Sequence, residues 1–406
     1  MAIRGSTIAL KFGLSFYVAR FVGLSELGTY GLVVGLSLTA PVFFRAGLFT
    51  TIARQLVDAE PSHMTCDLKH YLVWVGGCYG IVLLLIPLLP HIDGFPSLQT
   101  SAYVIWAIVL GEHLALDATL LLNNLHRSQA ANVFGLGQSA AWVIPYVVTS
   151  WMMPDLRTFD VLLAFWAVGT FVSLAGVSML FWEWPWRASK PLSLGWYRQR
   201  LRASGYLFSS DLIGTVSQFI DRYMIAYFIS IEQAGVYTLF FQLANSIFTL
   251  IASSIVNVHR PKIISAFGAN RLQEAASQLR QLQVEAVCVF VVLSLVIGGA
   301  FQFVAPWLNR PAVLVFLPLM WFTFTATALK TWCLAGFIEL YARHYDRELF
   351  WLNLLGFALI TILSLATISF AGIYGIPIAI GVSYAVVLYL IGITVARKDK
   401  HLGRLG

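Results

Sequence analysis

Apolar residues fill the chain in runs of about 20, and shorter polar segments separate these runs. A helix needs roughly 20 apolar residues to cross a bilayer, whereas a membrane barrel strand shows about ten residues of alternating polarity. The pattern therefore predicts an all-α integral membrane protein with about 12 transmembrane helices. The predicted spans are 6–24, 28–48, 70–90, 102–123, 130–150, 159–182, 204–229, 234–256, 284–305, 312–337, 349–370 and 372–395.

The seventh predicted span carries the charged residues Asp211, Asp221 and Arg222. A charged side chain at the centre of a bilayer costs roughly 2.5 to 3.5 kcal/mol, so these groups are expected to face protein or water. At about 100° per residue, one polar stripe runs along this span. The stripe comprises Ser204, Asp211, Thr215, Gln218 and Arg222. Either it lines a polar cavity, or Asp221 and Arg222 reach the outer membrane surface and pair structurally.

Polar residues also concentrate in the first span, where Thr7, Lys11 and Ser15 stack on one helix face. Arg20 lies on the opposite face of a straight helix, so at most one of the two cations faces the centre of a bundle. Arg20 has two further alternatives, to reach the membrane surface or to pair with Glu26.

The fourth span holds Glu112, His113 and Asp117. His113 and Asp117 are one helical turn apart, a spacing that suits either a proton or sodium site or a structural hydrogen bond. In the tenth span, Lys330 shares a face with two threonines and lies too deep to reach the membrane surface easily. Arg222 and Lys330 are therefore the cations expected to face a substrate.

Composition agrees with a membrane protein, because 59% of the residues are hydrophobic and 11% are charged. Most of the 26 Lys and Arg residues fall in loops on one side of the predicted membrane, and only Arg157 and Arg310 fall in loops on the other. The positive-inside rule then places both termini in the cytoplasm. The net charge of +7 forms no basic arm, so nucleic acid is not predicted as a partner.

The chain shows no pattern typical of an enzyme or a metal protein. Its four cysteines lack CxxC spacing, and GxSxG, HExxH, Walker and DxD motifs are absent. The longest predicted outer loop, 91–101, is too short for a catalytic domain. No cleavable signal peptide is predicted, so the first span is expected to remain. A transporter is therefore favoured over an enzyme.

Dividing the chain in the long loop 183–203 leaves six spans on each side, which predicts a parallel repeat with lobes 1–195 and 196–406. SELGTYGLVVGLS after the first span is similar to IEQAGVYTLFFQLA after the seventh. We therefore predict two parallel six-helix lobes around a central cavity. The segment 271–283 has an apolar side, so it is expected to lie along the membrane surface or to serve as a plain connector helix.

Three segments resemble the Wzx-type polysaccharide flippases of the multidrug, oligosaccharidyl-lipid and polysaccharide exporter superfamily. They are YVARFVGLSELGTYGLVV, GLFTTIARQL and FIDRYMIAYFISIEQAGVYTLFFQLANSIF. In FFRAGL, Arg45 stands where the family pattern has an acid. The resemblance implies a MATE-like bundle in the bacterial inner membrane. Such a protein moves undecaprenyl-pyrophosphate-linked oligosaccharide by alternating access and supplies a polysaccharide polymerase that makes O-antigen, capsule or exopolysaccharide.

On this interpretation, cavity cations replace the hydration that a pyrophosphate loses in the membrane. The candidate cations are Arg222, Lys330, Arg20 and Lys11. The candidate polar or ion-coupling residues are Asp211, Asp221, Gln218, Asp117 and His113. No cofactor is expected, and the coupling ion is H⁺ or Na⁺. The alternatives are a cation-coupled multidrug exporter and a glycan polymerase, although a polymerase needs a large outer loop.

Overall fold

The computed structural model describes residues 2–55, 61–91, 101–186 and 192–401. These residues form helices joined by turns, and none of them belongs to a β-strand. A multi-pass helical chain satisfies its backbone hydrogen bonds within each span, as a bilayer requires. The all-α membrane class predicted from the sequence is confirmed.

Each predicted span overlaps a helix of the described chain. The helices before residue 190 are α1 (Ala2–Tyr17), α2 (Leu24–Arg45), α3 (Leu48–Gln55), α4 (Pro61–Leu85), α5 (Ala102–Asn124), α6 (Ser128–Leu136), α7 (Val143–Met152) and α8 (Phe159–Ser178). Those after it are α9 (Leu194–Phe228), α10 (Ile231–Ile251), α11 (Asn257–Gly268), α12 (Leu272–Val304), α13 (Pro311–Val315), α14 (Leu317–Ala342), α15 (Asp346–Ala371) and α16 (Gly375–His401). π-helical turns extend α1, join α6 to α7 and join α10 to α11.

Seven helical stretches of the described chain are long and apolar enough to cross a bilayer. They are Leu24–Arg45, Met64–Leu88, Ala102–Asn124, Phe159–Phe181, Ile231–Gly268, Leu272–Leu308 and Asp346–Lys398. The last of these contains both α15 and α16. The remaining predicted spans correspond to α1, α6 with α7, α9 and α14. Charged or polar residues interrupt α1, α9 and α14, whereas a turn at Trp142 separates α6 from α7. Three of those spans, together with the fourth predicted span in α5, are the ones in which the sequence concentrates its candidate functional residues.

The chain divides into two compact units. The first unit contains Met1–Tyr17 and Leu32–Val216, and the second contains Val18–Gly31 and Ser217–Gly406. The turn between α1 and α2 thus belongs to the second unit, and the first part of α9 belongs to the first. Lobes that divide at residues 195 and 196 stay a prediction.

In the first unit, α5 packs along α8, and α1 packs against α6 and α7. The Tyr17 hydroxyl lies 2.8 Å from Ser150 Oγ, which ties the end of α1 to α7. In the second unit, α14 packs against α10, α12 and α16. Its central place explains why polar residues on α14 are protected from lipid.

The two similar sequences SELGTYG and IEQAGVY meet in the second unit, where the start of α2 crosses α10. A side chain at Gly235 would overlap the carbonyl oxygen of Leu24, and one at Gly28 would overlap that of Ile231. Only glycine allows the two backbones to approach this closely. The repeat therefore contributes a pair of matching surfaces to this crossing.

The halves also match in the conformation of two turns, the one that ends α5 and the one that ends α14. His126 and His344 have φ angles of 57° and 58°, in the left-handed region. The residue after each histidine donates its backbone N–H to the carbonyl five residues earlier, over 2.9 Å in both turns. Both turns close their helices as Schellman-type ends. The predicted parallel repeat thus has a counterpart in local structure.

The segment 271–283 does not form a separate surface helix or connector. α12 is continuous from Leu272 to Val304, a length of 33 residues. At 1.5 Å per residue it is about 50 Å long, which exceeds the roughly 30 Å hydrocarbon core. No Gly or Pro separates the amphipathic part from the apolar part, so the helix continues unbroken. The prediction of a helix lying along the membrane surface is wrong.

Candidate functional site

Asp221 and Arg222 form the centre of a buried charged cluster in the second unit. Their exposed fractions are 2% and 3%. Asp221 Oδ1 accepts the backbone N–H of Arg222 at 2.8 Å, and Oδ2 accepts the hydroxyl of Tyr237, on α10, at 2.7 Å. This burial contradicts the alternative in which the two charges reach the membrane surface.

The guanidinium of Arg222 is held by aromatic rings. It lies 4.1 Å from the ring centroid of Phe241 and 5.0 Å from that of Phe219. Aromatic faces attract a cation and compensate part of its lost hydration. Its Nε is buried and has no hydrogen-bond acceptor among the described residues. Arg222 therefore has a buried donor that these residues leave without an acceptor.

Lys330 reaches the same cluster from α14. Its Nζ lies 4.5 Å from the ring centroid of Phe248. Lys330, Asp221 and Gln218 line one cavity of about 30 Å³, together with Tyr237 and further residues of α14, α15 and α16. A cavity of this volume has room for about two water molecules. Three of the predicted polar residues thus line one cavity, which is large enough for a small ion.

A second buried cluster lies in the first unit, around Asp117. Asp117 Oδ1 is 2.5 Å from Arg45 Nη2, and Oδ2 accepts a short hydrogen bond from the Tyr71 hydroxyl. His113 Nε2 lies 2.8 Å from that hydroxyl and 3.3 Å from Asp117 Oδ2. The predicted pair His113 and Asp117 does meet, but Arg45 already neutralises the carboxylate.

The hydrogen-bond chain continues on the other side of the His113 ring. Nδ1 lies 3.2 Å from the Tyr79 hydroxyl, which lies 3.3 Å from the carbonyl oxygen of Val109. A neutral ring accepts at Nδ1 from Tyr79. A protonated ring donates at Nδ1, and Tyr79 then donates to Val109 instead. These hydrogen bonds are therefore satisfied in either case by rotating one hydroxyl, without moving a heavy atom.

Glu112 is also buried in the first unit, 8% exposed. Its carboxylate accepts Trp166 Nε1–H at 2.7 Å and Gln138 Nε2–H at 2.5 Å. Lys11 is the cation whose charge acts on it. Glu112 was noted in the sequence, but its two neutral donors come from α8 and the π-helical turn after α6. Helical spacing relates residues on one helix, so it could not predict these two partners.

The remaining predicted residues lie outside these clusters. Lys11, Arg20 and Asp211 are exposed. The guanidinium of Arg20 lies 5.1 Å from the ring centroid of Phe21, and within the described residues it makes no ion pair with Glu26. No group of three or more His, Cys, Asp or Glu side chains in the described ranges is placed to hold a metal ion.

Sequence reasoning missed Arg45, Tyr71 and Tyr237 as members of the clusters. Arg45 ends α2, near the end of the predicted second span, while the tyrosines belong to apolar spans. A departure from the family pattern at Arg45 was the only signal available. The structure explains that departure, because Arg45 pairs with Asp117 on another helix.

Comparisons with known proteins agree with this architecture. A family model described as "Polysaccharide biosynthesis protein" matches residues 1–267. An inward-facing multidrug resistance MATE family transporter of the MOP superfamily has a TM-score of 0.78 at 13% identity and covers 100% of this chain and 99% of its own. An outward-facing transporter of that family has a TM-score of 0.64 at 11% identity and covers 99% of this chain and 94% of its own.

The lipid II flippase MurJ, in an inward closed conformation, has a TM-score of 0.74 at 10% identity. The match covers 97% of this chain and 87% of MurJ. No curated protein matches the sequence. At these identities the structural matches establish a shared fold, and they leave the transported substrate open.

Proposed function

Because the chain belongs to the polysaccharide biosynthesis protein family, we propose that it is a flippase for undecaprenyl-pyrophosphate-linked oligosaccharide repeat units. It moves them from the inner to the outer leaflet of the bacterial cytoplasmic membrane by alternating access. The product serves O-antigen, capsule or exopolysaccharide synthesis, in which a polysaccharide polymerase consumes it. On this proposal the protein is a transporter and carries out no covalent step.

The observation that carries the proposal is the buried cluster of Arg222, Lys330 and Asp221 in the second unit. Two cations and one anion leave an excess of one positive charge in a region where Asp221 and Arg222 are buried and Lys330 is half-buried. Such an excess is costly in a protein interior unless an anion balances it. A pyrophosphate is an anion that this region can stabilise as the repeat unit crosses the membrane.

We further propose that transport is coupled to protons, through the chain of Tyr71, His113 and Tyr79 in the first unit. Histidine changes its charge in the physiological pH range. Rotation of the Tyr79 hydroxyl lets the chain exchange one proton within fixed heavy-atom positions. Sodium is less suited to this cluster, because Arg45 occupies the carboxylate that would bind it.

A cation-coupled multidrug exporter is the second candidate, because MATE transporters share the fold. The charge of the cluster favours the flippase over the exporter. A cationic drug is repelled by the excess positive charge of Arg222 and Lys330, whereas an anionic head group is attracted. Resistance to cationic dyes is therefore not expected to depend on this protein.

The test uses a strain that lacks the gene. Lipid-linked oligosaccharides and surface polysaccharide are measured with and without the restored gene, and again with Arg222→Ala and Lys330→Ala. We expect the deletion to accumulate lipid-linked repeat units and to lose surface glycan, and each substitution to restore export poorly. Arg271→Ala, which removes an exposed arginine, is the control. Normal glycan with altered dye efflux in the deletion strain would favour the exporter.

A further inference from the structure

The first ten residues of α9, Leu194–Ala203, project beyond the predicted span and are anchored on one face. Trp196 Nε1 and Arg200 Nη2 donate to the two carboxylate oxygens of Asp67, at 2.7 and 2.6 Å. The Tyr197 hydroxyl donates to the carbonyl oxygen of His70 at 2.8 Å. This face of the helix is therefore fixed to α4 within the first unit.

The opposite face carries a shallow, open groove lined by Gly195, Arg198, Gln199, Arg202 and Ala203. Arg198 and Arg202 are exposed, and neither makes an ion pair within the described part of the chain. Arg200, between them in sequence, is neutralised by Asp67. The groove thus presents two uncompensated arginines, and its other lining residues, Gly195, Gln199 and Ala203, are small or uncharged.

The spacing of these arginines suits a compact ligand with more than one negative charge. Residues four apart on a helix have Cβ atoms about 5 to 6 Å from each other, so both guanidinium groups can reach one ligand. The planar fork of arginine matches the oxygen geometry of phosphate and binds it through paired charge-assisted hydrogen bonds. Diphosphate offers oxygens on two adjacent phosphorus atoms, one group for each arginine.

The depth of the groove matches that of a lipid head group. At 1.5 Å per residue, Arg202 lies about 3 Å and Arg198 about 9 Å before Ser204, where the predicted span begins. The head-group layer is roughly 5 to 7 Å thick on each side of the hydrocarbon core. Both flexible side chains therefore reach the phosphates of the leaflet that the positive-inside rule assigns to the cytoplasm.

The buried cations cannot serve as the first contact in this structure. Arg222 is 3% exposed, and the cavity that Asp221 and Lys330 line, about 30 Å³, has room for about two water molecules. A diphosphate is several times larger. We propose that Arg198 and Arg202 form a separate site that first receives the diphosphate head group of the lipid-linked oligosaccharide; this rests on the proposed function.

Binding to the purified full-length protein tests the site directly. Undecaprenyl diphosphate, undecaprenol and phosphatidylglycerol are titrated separately and in competition, with native mass spectrometry as the readout. We expect R198Q/R202Q to bind the diphosphate at least about tenfold more weakly than the unaltered protein, since charge-assisted bonds to phosphate are lost. Undecaprenol, which lacks phosphate, should not compete. R271Q/R280Q removes two other exposed arginines and should bind normally.

Unchanged diphosphate binding by R198Q/R202Q would overturn the proposal. So would displacement of the diphosphate by an equal concentration of phosphatidylglycerol, because the groove would then hold bulk phospholipid. Thermal unfolding of each variant shows that it is folded. In the deletion strain, failure of the unaltered gene to clear lipid-linked oligosaccharides contradicts the proposed function itself. Full clearance by R198Q/R202Q at limiting expression contradicts only the first-contact site.

Discussion

Glu112 and Lys330 occupy equivalent positions in the two halves of the chain and carry opposite charges. Each lies 14 residues before the left-handed histidine, His126 or His344, that follows its helix. Each is also influenced by an opposite charge from the first long helix of its own half, Lys11 for Glu112 and Asp221 for Lys330. The repeat therefore keeps the place of a charged group and inverts its sign.

Replacing Lys330 with methionine is expected to reduce export strongly, because the buried cluster loses its excess positive charge. Lys330→Arg keeps the charge and should retain most export. The double variant Lys330→Met with Asp221→Asn restores the excess and should export better than Lys330→Met alone. Surface glycan and lipid-linked oligosaccharide provide the measurement, and a double variant no better than the single one would show that charge balance is not what matters.

Replacing Arg45 with methionine leaves Asp117 buried without its cation. Loss of one partner of a buried pair costs about 3 to 5 kcal/mol, so the thermal unfolding temperature of the purified protein should fall markedly. Arg45→Met combined with Asp117→Asn should recover part of the loss. The control is Arg271→Met, because Arg271 and Glu274 are about half exposed and such pairs contribute about 0 to 1 kcal/mol. Equal effects at both sites would contradict a buried pair.

Replacing Gly235 with alanine should destabilise the crossing of α2 and α10. The added methyl group meets the backbone of Leu24, which cannot rotate away as a side chain can. Overpacking of this kind costs about 1 to 3 kcal/mol. Gly214→Ala is the matched control, since nothing lies within 4 Å of its added carbon. Thermal unfolding and the yield of folded protein are measured, and an unaffected Gly235→Ala protein would argue against the close crossing.

Replacing His113 with glutamine should remove the dependence of transport on a proton gradient. Glutamine can hydrogen-bond to Tyr71 but does not titrate, so the chain to Tyr79 can no longer exchange a proton. Proteoliposomes with an imposed pH gradient, with and without a protonophore, supply the measurement. Tyr223→Phe alters a tyrosine on α9, outside this hydrogen-bond chain, and should preserve coupling. Transport driven by a sodium gradient alone would contradict the proton proposal.

The sequence by itself determined that the chain forms membrane helices, and each predicted span overlaps one of the described helices. A bilayer leaves the backbone no hydrogen-bond partner except its own helix, so a run of about 20 apolar residues has one stable form. The same rule made the seventh span conspicuous, because Asp221 and Arg222 interrupt it. It also pointed to Gln218 and Lys330, which do line one cavity with Asp221.

Only the tertiary structure decided which charged groups meet. The Asp117 carboxylate is shared by Arg45, Tyr71 and His113, and these residues come from three different helices. Helical spacing relates residues on one helix, so it could pair His113 with Asp117 but could not supply Arg45. Long-range pairings depend on how helices pack against each other, and a single sequence carries no rule of spacing for that packing.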